Sequence, residues 1–251
     1  MDRDFTIDDL IPELKRNGVD GTVLEQSLNN LDETHEYLAL QRKFDFIRGV
    51  VGWTSLVNPD EAIRSLEDLR KRGKLVGIRH LISFEPDPDW LLQPGVMESL
   101  RWMAKEKLVF DAVPMNFRQM ETVFKVAEQI PDLKIALNHL ARPPVVDGGW
   151  EPWATMVTRA AAYPNVSLKF SPGLDLVTRW HWKTEMVTRY AEHLFKSFGA
   201  NRVMAASNWP VSLMGGTYTE IWSGITELAS MLSPAERAQV LGGTAERIYG
   251  L

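Results

Sequence analysis

The sequence predicts an α/β fold built around a parallel β-sheet. Short apolar runs alternate with amphipathic stretches along the whole chain, and strands that alternate with helices form parallel sheets with right-handed crossovers. The length of 251 residues matches the roughly 250 residues typical of a (β/α)8 barrel. Neither an internal repeat nor a linker-like stretch interrupts the pattern. We therefore expect one domain over residues 1–251.

Each predicted strand is a short apolar run that ends at polar or turn-forming residues. In chain order the strands are Gly21–Ser27, Ile47–Leu56, Leu75–Ile82, Leu108–Met115, Asp132–Leu140, Asn165–Ser171 and Arg202–Ala206. The amphipathic stretches predict helices at Asp8–Asn17, Glu33–Lys43, Asp60–Arg72, Val96–Glu106, Phe117–Gln129, Trp153–Ala162, Lys183–Phe198, Tyr218–Met231 and Pro234–Leu241. Seven strands are one fewer than a closed barrel contains. An open doubly wound sheet is the alternative, but Glu25–Asn29 lacks the glycine-rich phosphate loop that follows its first strand.

Composition excludes several classes of protein. Cysteine is absent, which rules out disulfides, thiolate nucleophiles and cysteine-ligated metals and is compatible with a cytoplasmic location. The net charge of −5, with both signs mixed along the chain, argues against nucleic acid as a partner. The acidic N-terminal stretch MDRDFTIDDL does not read as a signal peptide, and no apolar run reaches the roughly 18 residues of a membrane span. We therefore expect a small-molecule substrate, and neither nucleic acid nor a membrane as partner.

Polar side chains stand where several predicted strands end, and strand ends form the catalytic face of a barrel. In Arg202–Ser212 the apolar run Val203–Ala206 gives way to Asn208 and Trp209. His139 ends another strand, where an inward-facing polar group is costly unless it has partners. His139 and Asn208 are therefore candidate catalytic residues. A hydrogen-bonded core histidine and a structural amide are the alternatives.

Another predicted strand carries Arg79 and His80 side by side near its end. Adjacent side chains of a strand face opposite ways, so only one of the two points inward. We expect it to be Arg79, because a guanidinium suits capture of carboxylate or lactone oxygens; the reverse orientation remains open. Asp111 either contacts the substrate or forms a salt bridge with Arg79. Trp53 and Trp209 either contact a sugar ring or fill the core.

Eight short motifs lie in sequence order at predicted strand ends, in loops or at the C-terminus. They are GTVLEQS at Gly21–Ser27, VVGW at Val50–Trp53, GIRH at Gly77–His80, EPDPDWL at Glu85–Leu91, LVFD at Leu108–Asp111, NHLARPP at Asn138–Pro144, SNWPV at Ser207–Val211 and GGTAERIYGL at Gly242–Leu251. Together they resemble the amidohydrolase-related family that includes sugar lactonases and 2-pyrone-4,6-dicarboxylate lactonase. The resemblance runs through almost the whole chain and implies a (β/α)8 TIM barrel of the metal-dependent hydrolase type.

The chain departs from the family pattern in three places. Family members begin with a strand bearing a His-x-His pair, which helps to hold a metal or to polarise the substrate carbonyl. No such pair occurs near this N-terminus, and the first histidine is His35. Asn138 stands where the family often has an aspartate, and Asn208 stands where its last-strand aspartate shuttles a proton. We therefore expect a barrel that lacks its first strand, by truncation or by genuine loss, with open edges that lead either to a homo-oligomer or to poor solubility.

The resemblance implies hydrolysis of a small lactone, such as a sugar lactone or a pyrone dicarboxylate. His139 would polarise the carbonyl, Arg79 would bind the oxygen-rich edge of the substrate, and Asn208 would position water, although an amide cannot act as a general base. The alternative is an impaired barrel that binds a small acid or sugar without turnover. A third possibility is a decarboxylase of the same superfamily, which would need a metal site. One histidine cannot make a zinc site, so zinc or manganese is expected only if ligands exist outside these motifs.

Overall fold

Seven β-strands lie in the part of the chain that the structure, a computed structural model, describes: residues 3–173 and 181–251. The strands are β1 (Thr22–Glu25), β2 (Ile47–Gly52), β3 (Leu75–His80), β4 (Val109–Ala112), β5 (Ile135–Leu137), β6 (Val166–Phe170) and β7 (Val203–Ala205). All seven predicted strands are confirmed, but each is shorter than the run that predicted it. Burial continues beyond the hydrogen-bonded ladder, as at Leu56 and Leu140, so apolar character overestimates strand length.

Ten α-helices are present over the same residues. They are α1 (Ile7–Arg16), α2 (Leu31–Lys43), α3 (Pro59–Arg72), α4 (Pro94–Lys105), α5 (Phe117–Gln129), α6 (Trp153–Ala161), α7 (Thr184–Phe198), α8 (Tyr218–Ala229), α9 (Pro234–Ala238) and α10 (Thr244–Tyr249). The predicted last helix, Pro234–Leu241, corresponds to α9 and the start of a π-helical turn at Gln239–Gly243, and α10, which follows that turn, was not predicted. No helix of the described residues is both long and apolar enough to cross a membrane.

The sheet is parallel, and its strands follow the chain order from β1 to β7. Where strands pair in parallel, their carboxyl ends lie at the same edge of the sheet. The register places Arg79 of β3 directly beside Asp111 of β4, and Lys169 of β6 beside Met204 of β7. The sheet order alone therefore makes neighbours of residues that lie far apart in the sequence.

Two compact units make up the fold. The first comprises Met1–Asp20, Asn138–Thr158 and Leu168–Ala245, and the second comprises Gly21–Leu137, Arg159–Ser167 and Glu246–Leu251. The second unit contains β1 to β5 and, from the far end of the sequence, the last residues of α10. The expectation of a single domain stays a prediction.

Asparagine caps position the loops that follow three strands of the second unit. The side chain of Asn30 accepts a hydrogen bond from the Asp32 amide at the start of α2. Asn58 and Asn116 cap α3 and α5 in the same way. Such caps stabilise a helix start by about 1 kcal/mol each. Each strand therefore passes into a loop whose far end is held at a fixed point.

Candidate active site

Arg79 lies in a buried cluster of charged groups in the second unit. Its Nε donates to Asp111 Oδ1 at 2.8 Å, its Nη1 donates to the Gln26 carbonyl at 3.1 Å, and its Nη2 donates to the Glu25 carboxylate. Asp111 is fully buried, with 0% of its surface exposed. The salt bridge that the sequence left as an alternative for Asp111 is thus present. We call Arg79, Asp111, Glu25 and Tyr249 the arginine cluster.

Tyr249 brings the C-terminal helix into this cluster. Its hydroxyl donates to Asp111 Oδ2 at 3.0 Å. Burial, followed by the negative charges of Asp111 and Glu25, raises the pKa of Tyr249 well above its ordinary value. Tyr249 therefore stays protonated and keeps its donor. Lys134 holds the same helix by donating from Nζ to the Ile248 carbonyl at 2.8 Å.

The charge of Arg79 is maintained by its two carboxylate partners. Burial by itself would lower the pKa of Arg79, but Asp111 and Glu25 outweigh burial and raise the pKa above its ordinary value. A buried ion pair of this kind gains little over an apolar pair, whereas a single buried charge is costly. Arg79 and Asp111 therefore depend on each other for their burial, and the part-buried Glu25 supplies the second carboxylate.

His80 makes a different set of contacts from its neighbour Arg79, as expected from alternation along a strand. The indole Nε1 of Trp53 donates to His80 Nδ1 at 3.0 Å. Nδ1 is thus an acceptor, so Nε2 carries the proton and donates to Glu85 Oε1 at 2.6 Å. Trp90 stacks on the imidazole with 3.9 Å between ring centroids. Through His80, β3 is joined to the loops after β2 and β3.

The burial of His80 leads to a prediction about how the free energy of unfolding depends on pH. Burial is the largest effect on the pKa of His80 and lowers it below 6.5, although Glu85 acts in the opposite direction. The unfolded chain therefore binds more protons than the folded chain as the pH falls through about 6.5, so this residue lowers stability on acidification. We expect His80→Gln to lose less unfolding free energy than the wild type between about pH 7 and pH 5.5. Urea unfolding at each pH measures this, and equal slopes for the two proteins would contradict it.

His139 follows β5 in the first unit and lies in an unusual backbone segment. His139, Leu140, Ala141 and Arg142 all have φ between 52° and 58°, which is left-handed backbone. None of the four is glycine, and each such residue costs roughly 1–2 kcal/mol. The side chain of His139 is half-buried, and its Nδ1 lies 3.0 Å from the Ser171 hydroxyl, just past the end of β6. Strained backbone of this kind concentrates at functional sites.

Asn208, also in the first unit, shares the left-handed backbone, with φ at 52°. Its Nδ2 donates to the Pro172 carbonyl at 2.8 Å, so the orientation of the amide is determined and its oxygen is left as an acceptor. Trp209 is half-buried and packs edge-on against Phe5, with 5.8 Å between ring centroids.

The structure thus brings Arg79 together with Asp111 in one unit and places Trp53 against His80 there. His139, Asn208 and Trp209 belong to the other unit. Sequence reasoning did not assign a role to the partners of these residues: Glu25, Tyr249 and Ser171. The position of Glu25, an acidic residue at the end of a predicted strand, could have marked it as a candidate site residue. No local pattern marks the other two, because their partners lie 138 and 32 positions away.

The described chain alternates seven parallel strands with helices and carries polar groups at and beyond the strand ends, which is the strand-and-helix pattern of the (β/α)8 fold of metal-dependent hydrolases. The chain belongs to the amidohydrolase family Amidohydro_2, whose model matches residues 1–251.

Individual relatives agree with this membership. An L-fucono-1,5-lactonase of Burkholderia ambifaria is 34% identical over 251 residues, which is 98% of this chain and 86% of that protein. The crystal structure of an amidohydrolase from Burkholderia multivorans with bound zinc has a TM-score of 0.90 and 30% identity, covering 99% of this chain and 89% of that chain. A probable 2-pyrone-4,6-dicarboxylic acid hydrolase from Acinetobacter baumannii, with citric acid bound, has a TM-score of 0.77 at 14% identity over 100% of this chain and 91% of that chain. It shares the fold.

The B. multivorans structure contains zinc, and the residues of this chain can be compared with the ligands that zinc requires. Within residues 3–173 and 181–251, no three histidine, aspartate or glutamate side chains are grouped as metal ligands. Zinc sites in proteins use three or four such ligands. The described residues therefore do not supply the ligand set of a zinc ion.

Proposed function

We propose that this chain hydrolyses a small lactone, with a sugar lactone as the preferred type and a pyrone dicarboxylate lactone as the other. The observation that carries the proposal is the 34% identity to an L-fucono-1,5-lactonase over 98% of the chain. Hydrolysis opens the ring ester: water adds to the carbonyl carbon, the bond to the ring oxygen breaks, and the ring oxygen leaves as a hydroxyl group.

His139 is the group proposed to polarise the lactone carbonyl. It stands just past the carboxyl end of β5, half-buried, on a backbone whose left-handed conformation allows few alternative positions. An imidazole N–H directed at the carbonyl oxygen stabilises the negative charge that develops there in the transition state. A group held in place before the reaction does this without the cost of reorganisation.

Asn208 is proposed to orient the attacking water. Because its Nδ2 donates to the Pro172 carbonyl, its side-chain oxygen is left to accept a hydrogen bond from water. An amide cannot take the proton away. This proposal therefore predicts a slow enzyme, since a positioned general base typically contributes about 10²–10⁴-fold to the rate.

Substrate binding is proposed for Arg79, Trp53 and Trp209, and Asp111, which is fully buried, is proposed to act by holding the guanidinium of Arg79. Asp111 and Glu25 hold the guanidinium of Arg79 in one orientation, which suits recognition of a planar, oxygen-rich group. The indole of Trp53 is similarly oriented by its bond to His80. Tryptophan presents a flat apolar face with little loss of side-chain entropy on binding.

An impaired barrel that binds a small acid or sugar without turnover is the second candidate function. The observation that favours it is the hydrogen bond of Asn208 to Pro172, which is also what a purely structural amide would make. Thermal stabilisation by a lactone or its open acid, with no product formed, would identify this function.

A lactone panel tests the proposed activity. Purified full-length chain is incubated with sugar 1,5- and 1,4-lactones and a pyrone dicarboxylate lactone, and acid release is followed with a pH indicator. We expect turnover in the wild type and a loss of about 10²-fold or more in His139→Leu, which has no N–H donor, the cost typical of removing one oxyanion donor. The control is His193→Gln in the same unit, whose ring bonds to Thr158 and the Ala154 carbonyl and which should keep wild-type activity. A folded wild type with no turnover of any lactone would contradict the proposal.

A cytoplasmic location and self-association complete the proposal. The lack of cysteine supports a reducing compartment. The strands β1 and β7 are the outermost strands in the strand order, and edge strands of a sheet favour pairing with another copy. Light scattering of the purified chain measures its mass in solution and tests the self-association.

A further inference from the structure

Ser171 carries a buried hydroxyl that the proposed mechanism does not use. It follows β6 in the first unit, and only 1% of its surface is exposed. Among the described residues its side chain has one hydrogen-bond partner, His139 Nδ1 at 3.0 Å. Burying a hydroxyl without using its donor costs about 1–3 kcal/mol. This cost determines which of the two groups donates in the hydrogen bond between Ser171 and His139.

The Ser171 hydroxyl therefore donates its proton to His139 Nδ1. If the hydroxyl instead accepted a bond from Nδ1–H, its own O–H would be buried without an acceptor in the described structure. The favourable arrangement has Ser171 donating to Nδ1. In a neutral imidazole with Nδ1 as acceptor, the ring proton is on Nε2.

We propose that Ser171 is a positioning residue for the lactonase reaction, one that holds His139 in the tautomer with its proton on Nε2. This inference rests on the proposed function, in which His139 donates a hydrogen bond to the substrate carbonyl. A histidine in the other tautomer would present a lone pair at Nε2 and would repel the carbonyl oxygen. The hydroxyl of Ser171 thus decides whether the ring assists the reaction or opposes it.

The backbone on which His139 sits reinforces this arrangement. Left-handed residues 139–142 are closed by hydrogen bonds from the Ala141 amide to the Asn138 carbonyl at 3.0 Å and from the Arg142 amide to the His139 carbonyl at 2.8 Å. The buried indole of Trp153 donates to the Leu140 carbonyl at 3.0 Å. With the backbone held in this way, the bond from the Ser171 hydroxyl acts on a side chain whose attachment point is already fixed.

A serine paired with a histidine also resembles a nucleophile with its base. Burial argues against attack by Ser171, because a nucleophile must reach the carbonyl carbon and this side chain is 1% exposed. The two roles differ in their products. A nucleophile would form an ester between Ser171 and the substrate acid, whereas a positioning residue forms no covalent bond.

The experiment combines a tautomer measurement with kinetics on the full-length chain. The chain has five histidines, so ¹⁵N spectra of the rings are simple, and the signal lost in His139→Gln assigns His139. We expect the wild type to show the Nε2–H tautomer and Ser171→Ala to show a mixture. For lactone hydrolysis we expect Ser171→Ala to lower kcat about ten-fold, the lower range for removing a group that orients a catalytic residue, with KM changed less than about two-fold. Ser171→Thr keeps the hydroxyl and should restore both the tautomer and kcat.

Ser99→Ala is the matched control, since Ser99 is a fully buried serine of the second unit that donates to the Leu56 carbonyl at 2.8 Å. It should lose stability without changing the His139 tautomer or kcat. An Nδ1–H tautomer in the wild type, unchanged kcat in Ser171→Ala, or a covalent adduct on Ser171 by mass spectrometry would each overturn the inference. The ring spectra can be recorded without any substrate. If the wild type turns over no lactone, the proposed function fails while the tautomer result still stands.

Discussion

Replacing Asp111 by alanine is expected to lower the free energy of unfolding by about 3–5 kcal/mol, the cost typical of breaking a buried ion pair by removing one partner. The substitution removes the acceptor for both Arg79 Nε and the Tyr249 hydroxyl. The Arg79 charge then remains buried with Glu25 as its one carboxylate partner in the arginine cluster. Urea or thermal unfolding of the two proteins measures the difference.

An exposed ion pair provides the control for this prediction. Arg159 and Glu121 form a salt bridge in which 47% and 40% of the side-chain surfaces are exposed. Glu121→Ala should cost no more than about 1 kcal/mol, because solvent screens exposed pairs. If Asp111→Ala costs as little as Glu121→Ala, the arginine cluster does not hold the C-terminal helix to the sheet. Arg79→Met combined with Asp111→Leu should cost less than the sum of the two single changes, because the charges then disappear together.

Restoring a carboxylate at position 208 is expected to raise the activity strongly. In Asn208→Asp the new group can accept a proton from the attacking water, and we expect kcat/KM to rise about 10- to 100-fold, within the range of general base catalysis. Aspartate tolerates left-handed backbone nearly as well as asparagine, so φ at 52° is no obstacle. The bond to the Pro172 carbonyl is lost, and a cost of about 1–3 kcal/mol in stability should accompany the gain.

The pH dependence separates this effect from a general change in charge. Activity of Asn208→Asp should fall as the new carboxyl becomes protonated, whereas the amide of the wild type does not titrate. Asn116→Asp adds the same charge at a helix cap, where aspartate serves as well as asparagine, and its activity should match the wild type. A folded Asn208→Asp protein with no gain on any lactone would show that position 208 does not contact the reacting water.

The positions of the strands could be predicted well from the sequence. Each of β1 to β7 lies within, or starts inside, a run that local apolar character predicts, because burial of a strand requires apolar residues along its own length. The same reasoning placed Arg79, His139 and Asn208 near strand ends. It could not assign the role of Asp111, for which a salt bridge and a substrate contact were both consistent with the residue type.

The partners of these residues could not be predicted, since hydrogen bonding depends on register and on distant parts of the chain. Arg79 meets Asp111 because β3 and β4 pair in one particular register. Tyr249 reaches the same carboxylate from the opposite end of the sequence. The left-handed segment 139–142 contains no glycine, so its sequence does not predict this backbone conformation. The tertiary structure shows the conformation, together with the hydrogen bonds from Trp153 and Ser171 that stabilise it.

The sequence by itself determined the class of fold, the family and the amide at position 208, because these follow from residue types and their spacing. The tertiary structure decided how those groups are used. It commits Arg79 to a buried cluster, directs the amide of Asn208 to Pro172 and places a buried hydroxyl against His139. The physical reason is that a buried polar group must find its partner wherever the fold supplies one, and for these groups the fold supplies it from another strand, another loop or the end of the chain.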